Sequence, residues 1–132
     1  MKRGTVFLHK DYQFPDGGIV NKFFIIINNP GPKAPFLTCK TTSKQDSRPD
    51  QVGCHHIKNV YVIREKEDFF PKRTWVQFYT LYRFSHARLL NLVKIGDVIK
   101  MAELTTQTIS AVVNCVKKSE DISFYDLELL KK

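Results

Sequence analysis

Five consecutive apolar residues, Phe23-Phe24-Ile25-Ile26-Ile27, limit what this chain can fold into. A bilayer span needs about 20 apolar residues, so the run is far too short to cross a membrane. It is also too unbroken for the one-sided stripe of a surface helix. A block of aromatic and β-branched residues bounded by polar and turn residues reads as a strand covered on both faces, at the centre of a sheet. Residues 19–28 are expected to form that strand. Asn28-Asn29-Pro30-Gly31-Pro32 then breaks it, because proline lacks the amide donor a ladder needs.

Other strands are expected at residues 4–8, 36–42, 57–64, 74–79 and 98–101. Residues 9–18 are expected to be a loop, since Asp16-Gly17-Gly18 supplies a turn in which glycine reaches positive φ without steric cost. A short helix is expected at 85–92, capped by Ser85. A longer one is expected at 106–118, capped by Thr105. Its residues Ile109, Val112, Val113 and Val116 recur at i, i+3, i+4 and i+7, which makes one apolar stripe. The tail at 122–132 is open between structures; one role for it is to cover an edge strand. Short strands with frequent turns predict a mainly β fold: a small, strongly bent sheet or barrel with the helices packed on it, as one domain spanning 1–132.

The chain has 21 Lys and Arg against 13 Asp and Glu, a net charge of +8. That balance favours an anionic partner such as nucleic acid, an acidic protein or an anionic surface. No secretory signal is expected at the amino terminus, where Val6-Phe7-Leu8 is too short to be its apolar core. The three cysteines, Cys39, Cys54 and Cys115, are odd in number and widely spaced. They are expected to be reduced thiols in a cytoplasmic protein. Cys54-His55-His56 invites a metal reading, but adjacent residues on a strand point to opposite faces and no second cluster completes a site. No metal or cofactor is therefore expected. A Cys-His hydrolase built on Cys39 or Cys54 lacks a nucleophile turn.

The stretch Phe36-Leu37-Thr38-Cys39-Lys40-Thr41-Thr42-Ser43-Lys44 starts apolar and ends in hydroxyls between lysines. Such a strand end suits phosphate, because hydroxyls donate to its oxygens and ammonium groups supply charge. The following polar segment, 44–53, is expected to be a mobile loop with positive charge from Lys44 and Arg48. Basic and aromatic residues also alternate at Lys22-Phe23-Phe24, at Phe70-Pro71-Lys72-Arg73-Thr74-Trp75, and from Tyr79 to Phe84. Single-stranded nucleic acid is held by such mixtures, although most of the ten phenylalanines must fill the core.

Taken in order, several short motifs resemble the MazF/PemK-like toxin family, small SH3-like barrels of which many are metal-independent endoribonucleases paired with an antitoxin. Gly4-Thr5-Val6-Phe7 is similar to the opening strand. Residues 21–28 are similar to the second strand, and Phe36 to Lys44 to the third, which often ends in Thr-Ser or Thr-Thr. Trp75-Val76-Gln77 followed by Tyr82-Arg83-Phe84-Ser85 is similar to the segment before the short helix. The resemblance covers residues 4–118 and implies an SH3-like barrel that cleaves single-stranded RNA through its 2′-OH, with an acidic antitoxin and a homodimer as partners. It implies catalysis by Lys22 with a hydroxyl from Thr41, Thr42 or Ser43, and RNA contacts from Arg3, Lys40, Ser43, Lys44 and Arg48. Lys22 stands where the family carries an arginine, and lysine lacks that residue's bidentate fork. Either Lys22 does the work, or Lys40, Arg3 or His9 substitutes, or the protein binds nucleic acid or a partner protein without catalysis. A module whose groove takes a peptide is a third reading.

Overall fold

A computed structural model describes residues 1–13 and 15–132. Seven antiparallel strands form one sheet: β1 (Thr5–Gln13), β2 (Ile19–Ile26), β3 (Phe36–Thr42), β4 (Gly53–His55), β5 (Val60–Ile63), β6 (Thr74–Phe84) and β7 (Val98–Glu103). Their order is β4-β5-β6-β3-β2-β1-β7. The run Phe23–Ile27 does lie centrally, because β2 is flanked by β1 and β3. Three helices complete the fold: α1 (His86–Lys94), α2 (Thr106–Lys117) and α3 (Phe124–Leu130). The architecture is mainly β, as expected. Among the described residues no helix is long and apolar enough to cross a membrane.

Each face of the sheet buries its own core. On one face, α2 lays Ile109, Val112, Val113 and Val116 against Val6, Ile25, Leu37, Cys39, Val76 and Phe78. On the other, Leu89 of α1 packs with Phe7, Phe24, Ile26, Phe36, Phe84 and Val98. Strand residues alternate between these faces, Ile25 on the first and Phe24 and Ile26 on the second, as the two-residue period requires. Register shifts at His9/Tyr12, Val6/Phe7 and Thr38/Lys40 interrupt the ladders, and bulges of this kind bend and twist a sheet.

Several boundaries differ from the expectation. β1 continues to Gln13, with His9 pairing Lys22 and Tyr12 pairing Val20, so part of the expected loop 9–18 is strand. Phe14, also in that segment, lies outside the described residues. β4 is only three residues long and carries no periodic signal. The tail resolves into α3, capped by Ser123, whose hydroxyl accepts from the Asp126 amide at 3.1 Å. The segment 43–52 is a loop, but it is pinned rather than free. Trp75 Nε1 donates to the Pro49 carbonyl at 2.7 Å, Arg73 Nη1 pairs with Asp50 at 2.7 Å, and Val52 packs on Val60, Val62 and Trp75.

The expectation of three reduced thiols is overturned. Cys54 of β4 and Cys115 of α2 form a disulfide, with Cα atoms 5.5 Å apart across a sequence separation of 61. Only Cys39 is a free thiol, and it is buried. The thiol argument for a reducing compartment therefore falls. Spacing along the chain could not show the pairing, because it depends on α2 crossing the sheet near β4.

Asn28 fastens the carboxy-terminal helix to the sheet. Its side chain is fully buried. It accepts from the Leu37 amide at 2.8 Å and donates to the carbonyls of Pro35 at 3.2 Å and Leu129 at 3.1 Å. Removing the amide strips the buried Leu37 N–H of its acceptor, a costly loss, and takes a donor from the Pro35 and Leu129 carbonyls, of which Leu129 keeps the Lys132 amide at 3.2 Å. Asn28→Ala is expected to lower stability by about 2–3 kcal/mol in urea unfolding, with exchange protection lost first in α3.

Candidate anion site at the end of the third strand

The pairing of β2 with β3 assembles the site. Phe24 lies opposite Lys40 and Ile25 opposite Cys39, so continuing the antiparallel register brings Lys22 opposite Thr42. Alternation puts Lys22, Lys40 and Thr42 on one face, the face of Phe24. Thr41 points the other way. It is buried, and its hydroxyl donates to the Phe23 carbonyl at 3.1 Å. Thr41 serves the site through its backbone instead: Lys22 Nζ donates to the Thr41 carbonyl at 2.9 Å, which holds the ammonium at the strand end.

Thr42 differs from Thr41 in what it has left to give. Its Oγ1 accepts from the Lys44 amide at 3.2 Å. Its hydroxyl hydrogen has no protein acceptor among the described residues, and is available to a ligand oxygen. Ser43 and Lys44 are exposed beside it. Arg48 reaches back from the loop. Its guanidinium binds the carbonyls of Lys44 at 3.0 Å and Gln45 at 3.4 Å and the carboxylate of Asp46 at 3.2 Å. With its amide turned so that oxygen rather than nitrogen faces the guanidinium, Gln77, which pairs with Lys40 across the sheet, accepts from Arg48 Nε at 3.3 Å and Nη2 at 3.0 Å. Arg48 thus folds the loop over the sheet and contributes field more than free donors.

Four cations converge here: Lys22, Lys40, Lys44 and Arg48. Burial, followed by repulsion from Lys40, Arg48 and Lys44, pulls the Lys22 ammonium below its ordinary pKa of 10.5. Burial and Arg48 do the same to Lys40. Both shifts disfavour the charged forms in the folded state, so the clustered charge opposes folding in full below the lowered pKa values. The penalty fades as pH rises from those values towards 10.5 and is gone once the lysines discharge in the unfolded chain too. A bound anion relieves it. Phosphate at neutral pH is expected to raise Tm more than chloride at equal ionic strength. The increment should shrink in Lys22→Ala and vanish above the lysine range; thermal scans across pH check this.

A pocket of about 380 Å³ opens beside the cluster. Lys22, Thr42, Ser43 and Lys44 line one side, with Asn21, Lys72 and Thr74 around them. Phe23, Phe70 and Pro71 also line it. Phe23, Phe69 and Phe70 brace one another edge-to-face, with centroids 5.1–6.1 Å apart. Lys72, Asn21 and Gln77 were not singled out from sequence as site residues. The basic-aromatic stretch 70–75 was the available signal for Lys72.

Two expected groups lie elsewhere or are occupied. Arg3 is not brought to the cluster: its amide donates to Asn29 and its guanidinium reaches Ser110 of α2 at 3.4 Å. It precedes the end of β1 at which Thr5 pairs Glu103, whereas Lys22 pairs His9 farther along. Five residues, four of them in β1, lie between Arg3 and His9, a separation of roughly 15–20 Å. His9 does neighbour Lys22, but its ring is 7% exposed, packed among Tyr12, Phe24 and Phe84, with Nδ1 at 3.0 Å from the Lys10 carbonyl. Cys39 is no nucleophile here, since burial pushes its thiol pKa far up. The Cys54 sulfur is consumed by the disulfide, and His55 Nε2 lies 2.6 Å from the Gln51 carbonyl.

A scan against models of known protein families finds no match to this chain. A search of the curated proteins likewise finds none.

Proposed function

We propose that the protein is a MazF/PemK-like, toxin-type endoribonuclease that cleaves single-stranded RNA without a metal. The observation that carries this reading is the convergence of Lys22 with Thr42 at one strand end, ringed by Lys40, Lys44 and Arg48. In the proposed reaction the 2′-oxygen attacks the adjacent phosphorus while its proton passes to solvent water. The P–O5′ bond breaks, giving a 2′,3′-cyclic phosphate and a free 5′-hydroxyl. Thr42 donates to a non-bridging oxygen, and Lys22 stabilises the phosphorane charge. The lowered pKa of Lys22 also makes it a better proton donor to O5′ than an ordinary lysine. Lys44 and Ser43 hold the backbone, and Lys40 and Arg48 deepen the positive field.

Net charge supports an acidic antitoxin as the cognate inhibitor, and a homodimer belongs to the same reading. The test is expression under tight control. Growth arrest is expected, with cellular RNA fragments ending in cyclic phosphate and beginning in 5′-hydroxyl. Unaffected growth with intact RNA contradicts the reading.

One observation favours a second reading, a nucleic-acid-binding barrel without catalysis. The side chains gathered at the site are nearly all proton donors. The one carboxylate, Asp46, is paired with Arg48, and the neighbouring imidazole of His9 is buried. RNA binding that weakens steeply with salt, without cleavage, selects this alternative.

A further inference from the structure

Outside the strand end itself, the pocket carries more structure than phosphate contact requires. A phosphate alone needs donors and positive charge; it does not need an apolar wall. A hydrophobic ligand does not need three lysines. This pocket has both, with Lys22, Lys44 and Lys72 around a volume whose base is formed by Phe23, Phe70 and Pro71. Lys44 and Lys72 make no ion pair with a carboxylate among the described residues. The base is rigid because Phe23, Phe69 and Phe70 interlock. Asn21 adds an amide whose oxygen accepts from the Asp11 backbone at 3.0 Å and whose nitrogen can donate to the edge of a heterocycle, while the buried Thr74 hydroxyl donates to the Lys72 carbonyl at 2.9 Å and steadies that residue. A few polar groups converging over an apolar base are the usual composition of a small-molecule site.

We infer that this pocket is a subsite for one nucleotide unit, resting on the ribonuclease reading: it seats the nucleoside next to the phosphate held by Lys22 and Thr42. The base lies against Pro71 and the aromatic wall, and Lys72 pairs with the phosphate on the far side of that nucleoside. Lys72 is then a positioning residue whose contact lies beyond the scissile phosphate. A free nucleoside 3′,5′-bisphosphate should occupy the same place.

The experiment is an NMR-detected titration at fixed ionic strength with three probes: inorganic phosphate, a nucleoside, and the corresponding nucleoside 3′,5′-bisphosphate. The nucleotide is expected to bind about tenfold or more tightly than phosphate, as base contact adds to charge. Shifts should centre on Asn21, Lys72 and Thr74. Lys72→Ala and Pro71→Asp both alter exposed positions, and each is expected to weaken the nucleotide about tenfold while leaving phosphate affinity within twofold. Equal affinity for phosphate and nucleotide, or nucleotide binding unaffected by both variants, overturns the inference. Tight nucleotide binding by a protein that leaves RNA uncut supports the subsite and removes the ribonuclease reading. Cleaved RNA with phosphate and nucleotide bound alike removes the subsite alone.

Discussion

Replacing Cys54 and Cys115 together with alanine is expected to lower unfolding stability by about 4 kcal/mol, the chain-entropy contribution of a cross-link closing a loop of this length. The two cysteines stand 61 positions apart. The linked elements also depend on the bond unequally. α2 keeps its apolar stripe on the sheet, whereas β4 has three residues and pairs only with β5. Loss of the bond is therefore expected to free β4 first and then the exit of loop 43–52. Urea unfolding of the oxidised protein and the double variant measures the difference, and exchange protection at Gly53–His55 reports the local part. A difference within 1 kcal/mol would show that the cross-link does not restrain the unfolded chain as described.

Lys22→Ala is expected to reduce RNA cleavage by about 10²–10³-fold, the usual cost of removing a group aimed at charge that develops in the transition state. Lys22→Arg separates charge from proton transfer. Arginine restores the cation and offers a bidentate fork, but it does not deprotonate in the working range. In the proposed mechanism cleavage requires the protonated lysine, so wild-type activity should fall as pH rises through a pKa below 10.5. The arginine variant should keep substantial activity at neutral pH, with no fall in that range. Initial rates across pH, corrected for uncatalysed RNA hydrolysis, give both profiles. An alanine variant as active as wild type would remove Lys22 from the mechanism.

How much of this was legible in the chain follows from the range of the interactions. The block Phe23–Ile27 declared a central strand because its signal is local and uninterrupted. The stripes and caps of α1 and α2 were local too, and Ser85 and Thr105 accept the amides expected of N-caps. The Ser123 cap of α3 was equally local, though the tail was left open. The choice among Thr41, Thr42 and Ser43 needed one more fact. Alternation says that Thr41 and Thr42 face opposite ways, but only the packed faces show that Thr41 sits on the α2 side with Cys39. Lys22 meeting Thr42 was accessible as soon as β2 and β3 were taken as antiparallel neighbours.

Other features depend on contacts far apart in sequence. Loop 43–52 reads as mobile by composition, yet Trp75 and Arg73 fix it from more than 20 residues away. The resemblance implied an RNA contact from Arg3; the direction of β1 carries it away from Lys22 and Thr42, to Asn29 and Ser110. Lys72 enters the site only because the connection between β5 and β6 reaches the end of β3.

In the proposed reaction the strand end holding Lys22 and Thr42 takes a phosphate with a neighbouring 2′-hydroxyl. This is tested most directly with two single-stranded oligonucleotides of the same sequence, one ribose and one fully deoxy, each incubated with purified protein and EDTA. The expected result is cleavage of the ribose strand alone, with 2′,3′-cyclic phosphate and 5′-hydroxyl ends, and binding of the deoxy strand without cleavage. Intact RNA across diverse sequences, or cutting of the deoxy strand, would contradict it.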